Sequence, residues 1–162
     1  MSLSRIAPIG FTLALLWALQ ALAGEVEIRV ETVLATNAPK EFEESSNPDL
    51  KAQLGNFNPD LKAQLTRAFP YSSYQLVDRV SRKVQWGKRE DFSLPGGRLL
   101  QIAPREYTNH RIALQIMLME GSAPSPFMNA ALWLPNNGTI FYGGRRYHDG
   151  ILIIRIGAGV KE

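Results

Sequence analysis

Apolar and polar residues alternate from residue 24 onward, with Val26, Ile28 and Val30 set against Glu25, Glu27, Arg29 and Glu31. Successive side chains of a strand point to opposite faces, so this pattern predicts a half-buried strand over residues 24–35. Residues 36–46, with Pro39 and the acids Glu41, Glu43 and Glu44, read as a polar loop. Period two returns at Tyr74, placing Tyr74, Leu76, Val80, Val84 and Trp86 on one expected face. Asp78 and Arg82 interrupt that face, which predicts a bulge or an edge position. Further strands are expected over residues 98–104, 110–120, 127–134, 139–142 and 151–156. In the second of these, Ile112, Leu114, Ile116 and Leu118 alternate with Arg111, Ala113, Gln115 and Met117. The last is apolar almost throughout and should be central or well covered. Pro95-Gly96-Gly97, residues 121–126 and the hairpin-favouring pair Asn137-Gly138 supply turns, and residues 143–150 read as a glycine-flanked loop.

One stretch breaks this rhythm. Asn47-Pro48-Asp49-Leu50-Lys51-Ala52-Gln53-Leu54 recurs unchanged as Asn58-Pro59-Asp60-Leu61-Lys62-Ala63-Gln64-Leu65, a tandem duplication within residues 47–65. Each copy opens like a helix, with Asn as N-cap, Pro at the first helical position and Asp in the first turn. Leu50, Leu54, Phe57, Leu61, Leu65 and Ala68 fall on one helical face. Pro59 opposes a continuous helix, since an interior proline costs about 3 kcal/mol. The second copy is therefore expected to be the structural helix, over residues 60–68, and the first a short extra helix or turn. The resulting fold class is α+β, mainly β: an antiparallel sheet or sandwich of about seven strands with one short helical segment packed on it.

Residues 1–23 have the order of a secretory signal peptide: Arg5 as the only charge, an apolar run from Ile9 to Leu19, then Ala21-Leu22-Ala23 as a small-x-small cleavage site. The alternative is a retained anchor, but a span needs about 20 apolar residues and this run is shorter. Export is thus expected, to the periplasm or the medium. It leaves 139 of the 162 residues as a single domain over residues 24–162. The sequence has no cysteine, so packing alone must hold that domain, without disulfides or thiolate metal sites.

Charge is unevenly placed. Residues 25–60 hold eight acids against three bases, and residues 61–162 hold seven acids against fourteen bases. Arg79, Arg82, Lys83, Lys88 and Arg89 cluster around Trp86, a pattern that binds single-stranded nucleic acid in other settings. Export argues against that partner, and edge-strand cations also block edge-to-edge aggregation. The two histidines, His110 and His148, fit no common metal-ligand spacing. No serine lies in a Gly-x-Ser-x-Gly context to join the His148-Asp149 pair. Neither Gly157-Ala158-Gly159 nor Gly143-Gly144 has the sequel of a nucleotide-binding loop. No catalytic residue, metal or cofactor is nominated. The candidates are for binding: Arg145, Arg146, Tyr147 and His148 gather planar donors and an aromatic ring on one segment, with Arg82 and Trp86 as a second group. An envelope protein or an anionic ligand would suit them.

The strand ending Glu31-Thr32-Val33-Leu34-Ala35-Thr36-Asn37, the segment from Leu65 to Leu76 and the ending from Gly143 to Ile154 together resemble small exported bacterial proteins of no assigned activity. The resemblance implies export and carries no catalytic motif. The functional expectation is a non-catalytic exported domain that binds a partner protein or envelope component. The alternative is an accessory subunit of an envelope secretion or pilus assembly, with an enzyme of unrecognised type third.

Overall fold

The protein's structure, a computed structural model, describes residues 24–37, 59–121 and 125–161. Alternation builds the first strand, β1 (Glu25–Thr36), whose Val26, Ile28 and Val30 are buried while Glu25, Glu27 and Arg29 are exposed. From Val30 onward every residue of β1 is buried, because both faces of the strand are covered there. The chain continues as α1 (Pro59–Ala68), β2 (Ser73–Gln85), β3 (Glu90–Leu94), β4 (Arg98–Thr108) and β5 (Arg111–Glu120). It ends as β6 (Met128–Pro135), β7 (Thr139–Tyr147) and β8 (Gly150–Gly159).

These strands form two four-stranded antiparallel sheets, β2-β1-β8-β7 and β3-β4-β5-β6. One buried cluster draws Ile28 and Ile156 from the first sheet and Phe92, Leu100 and Ile116 from the second, so the sheets share a core. Among the described residues the mainly β fold with one short helix is as the sequence predicts, with eight strands in place of seven. The additional strand is β3, whose five residues bury only Phe92 and Leu94 and are too few to show a period. The apolar β8 is central, between β1 and β7, as expected.

The second octapeptide copy supplies α1. Its Leu61 and Leu65 are buried against Val33, Ala35, Leu76 and Ile153 on the first sheet. Ala68, expected on the same face, is exposed. Phe69 packs there instead, edge-on to Phe141 with ring centroids 6.5 Å apart. The first copy, residues 38–46 of the expected polar loop and the signal peptide expected over residues 1–23 lie outside the described residues.

Irregular pairing corrects three expectations. Thr32 faces Asp78 but Val33 faces Leu76, so Val77 is the extra residue of a bulge. That insertion reverses the parity of β2. Tyr74 and Leu76 join the cluster under α1, whereas Val80, Val84 and Trp86 join the core between the sheets. The expected single face is two half-faces on opposite sides. Second, Asn137-Gly138 makes no hairpin. It carries the chain from β6 in one sheet to β7 in the other, with Asn137 at φ 61° and Gly138 N–H donating to the Pro135 carbonyl at 2.7 Å. A two-residue hairpin occurs instead at Asn109-His110, where both residues take left-handed φ values (50° and 58°). Third, residues 143–147 are the second half of β7 and not loop.

Candidate functional site

The extension of β7 decides where the basic candidates point. Gly143 pairs with Ile153 and Arg145 with Leu152, which leaves Gly144 as the extra residue, at φ 119°. Glycine has no Cβ to oppose that conformation, so the strand continues past it. Arg145 reaches the other sheet, where its Nη2 lies 2.9 Å from Glu120 Oε2 and its guanidinium sits 3.4 Å from the centroid of the Phe127 ring. Tyr147 is half-buried, and its ring centroid lies 4.2 Å from that of His148. Arg146 and His148 are exposed, the latter at φ 50° in the turn to β8.

Arg82 and Trp86 are elsewhere. Arg82 bonds Glu90 and the Asp91 carbonyl and lies over the Phe92 ring, linking the edge strand β2 to β3. Its neighbours are also engaged: Arg79 pairs with the buried Glu31 at 2.8 Å, and Lys83 approaches Glu25 at 3.9 Å. Arg155 holds the second oxygen of Glu31 from β8, at 2.7 Å. Trp86 lies at the opposite end of its sheet from His148. The strands β2 and β7 run in opposite directions, and each residue follows the last position of its strand. The six nominated residues therefore form no single site. Four, Arg145 to His148, lie together at the end of β7, and most of the basic cluster on β2 is engaged by acids of its own domain.

A different surface stands out once the four sheet edges are compared. The β2 edge carries Asp78, Arg79, Arg82 and Lys83; β3 has five residues, two of them acidic; β7 is bulged and bears Arg145 and Arg146. Charge, shortness and bulges are the devices that keep an edge from pairing with another chain. The fourth edge, β6, has none of them. Its sequence Met-Asn-Ala-Ala-Leu-Trp-Leu-Pro is uncharged, and it pairs without a bulge from Met128 opposite Leu118 to Pro135 opposite Arg111. Phe127, which precedes it, is 49 % exposed and Trp133 within it is 41 % exposed. Leu99, Met117 and Met119 are half-buried on the face of the same sheet that points away from the core, and among the described residues the helix covers the other sheet. The sequence signal for this edge was present as an uncharged run at residues 127–134, but its position at the rim of a sheet was not.

Comparison with protein-family models and with curated proteins returns no match for this chain. Among the described residues no helix is long and apolar enough to cross a membrane.

Proposed function

We propose that this is an exported, non-catalytic domain that binds a partner protein by strand addition along β6. The observation that carries the reading is the contrast between β6, uncharged and regular, and three edges that are charged, short or bulged. An added strand satisfies the N–H and C=O groups of a free edge, while pockets for alternate side chains give selectivity. The exposed Phe127 and Trp133 flank that edge with aromatic surface of the kind enriched at interfaces. An extended, apolar segment of another exported protein is the partner this edge would accept. The export in this reading is supported by the leader-like pattern of residues 1–23, and its destination would be the periplasm or the medium. The second reading, an accessory subunit of a secretion or pilus assembly, is favoured by the same edge, because strand donation is a way such subunits join.

The test is hydrogen exchange on the protein mixed with envelope extract fractions, comparing wild type with Ala131→Lys. Ala131 is exposed, so the added charge burdens the edge and not the core. Partner binding should slow exchange of the β6 amides in wild type, and Ala131→Lys should abolish that protection. Protection confined to other strands, or protection unaffected by Ala131→Lys, would exclude β6 as the docking edge.

A further inference from the structure

The end of the sheets where β1 begins and β8 finishes holds a groove of about 740 Å³ that the docking edge does not include. Its apolar lining is Trp86, just past β2, Tyr107, on β4 beyond the bulge at Arg105, and Val160, just past β8. All three also pack against the core between the sheets, so the core helps to fix their positions. Val160 is held further by the Asn136 side chain, which accepts its N–H at 2.9 Å and donates to its carbonyl at 3.2 Å. Around these residues stand three acids, Glu25, Glu27 and Glu106, and three bases, Lys83, Arg105 and Lys161.

We infer that this groove binds an uncharged carbohydrate chain. Its volume lies within the range of about 300–1,000 Å³ usual for small-ligand sites. The equal numbers of acids and bases give no net attraction for an anion such as a phosphate, nor for a cation. A wholly apolar ligand would strip water from charged groups and return no hydrogen bonds. Sugar hydroxyls both donate and accept, so one ligand can satisfy carboxylates and ammonium or guanidinium groups together. The C–H faces of the sugar rings supply an apolar surface for Trp86 and Tyr107, whose large rings dominate such contacts. This inference stands apart from the docking reading, since no residue of β6 lines the groove.

The experiment titrates protein expressed with its own leader against uncharged oligosaccharides of glucose, mannose and N-acetylglucosamine, read by calorimetry. Parallel titrations use inorganic phosphate and tetra-alanine. Saturable binding of at least one oligosaccharide is expected, with neither phosphate nor tetra-alanine reproducing it. Trp86→Ala should weaken that binding by at least about tenfold. Arg105→Ala, at an exposed position, should also weaken it while leaving the urea midpoint in place. Trp133→Ala, on the strand used for docking, should leave it unchanged. No saturation by any oligosaccharide at millimolar concentration would overturn the inference. So would equal binding of phosphate or tetra-alanine, or an affinity indifferent to both groove substitutions.

Discussion

The buried guanidinium of Arg98 donates from Nε at 3.1 Å and lies with Nη2 at 3.0 Å from the same oxygen, Oε1 of Glu120. Of the remaining contacts, Nη1 donates to the Pro95 carbonyl in the adjoining turn, and Nη2 donates to that of Arg146, which belongs to the other sheet. Glu120 spends its second oxygen on Arg145. One carboxylate thus holds two arginines where the sheets meet, and the Arg145 nominated for ligand binding is a member of that tie.

Glu120→Ala should therefore destabilise the fold by about 3 kcal/mol, because it leaves the Arg98 charge buried without its partner. Arg145→Ala should cost about 1 kcal/mol or less, since Arg145 is 36 % exposed and water can replace part of what it loses. Urea unfolding checks both, with m-values held constant as the sign that only stability has changed. Equal midpoints for the two variants would mean that Arg98 is satisfied without Glu120.

Gly150 opens β8 with its backbone against β1, and a Cβ added there would lie 2.3 Å from the Ala35 carbonyl oxygen. The obstacle is main chain in a buried strand and cannot swing aside. Gly150→Ala should cost about 2 kcal/mol or more, in the manner of an overpacked core. At Gly157 the nearest atom is a Thr139 methyl at 3.3 Å, so Gly157→Ala should cost under about 1 kcal/mol. Thermal unfolding of the pair would rank them, and a reversed order would contradict the register of β8 on β1.

Asn136 imitates a neighbouring strand for Val160, exchanging two hydrogen bonds with its backbone through the side-chain amide. Asn136→Ala removes both, and each is worth about 1 kcal/mol. Faster amide exchange at Val160, with little change at Ile153 in the middle of β8, is the expected signature. Uniform acceleration along β8 would show that the clip supports the whole strand.

Removing residues 47–57 deletes one repeat unit and leaves Pro59–Ala68 to form α1. Leu61 and Leu65 bring the apolar contacts of that helix, so the shortened protein should still unfold in one cooperative step. Circular dichroism in urea follows this directly. A broad or biphasic transition would place the first copy in the core.

The alternation in β1 and β5 was legible because burial of a strand face depends only on local parity. Val26, Ile28, Ile112 and Leu114 each point inward as their spacing requires. The second repeat copy was legible for a similar reason, since proline and the two leucines specify where a helix starts and which face it buries. Parity fails where one residue is inserted. On β2 the polar break at Asp78 announced the bulge and the edge position that the structure has, but only pairing with Val33 identifies Val77 as the inserted residue; Gly144 on β7 is ordinary in sequence, and only pairing with Ile153 shows the insertion beside it.

By itself the sequence determined the strand-rich class, the inward faces of the regular strands and the helix of the second repeat copy, because these follow from neighbouring residues along the chain. The tertiary structure alone decided the rest. It set Asn137-Gly138 at a crossing between sheets, joined Arg98 to Glu120, left β6 as the uncharged edge and brought Trp86 to Tyr107 and Val160. Each of those depends on which strands become neighbours, and strand order is fixed by long-range packing that no local period records.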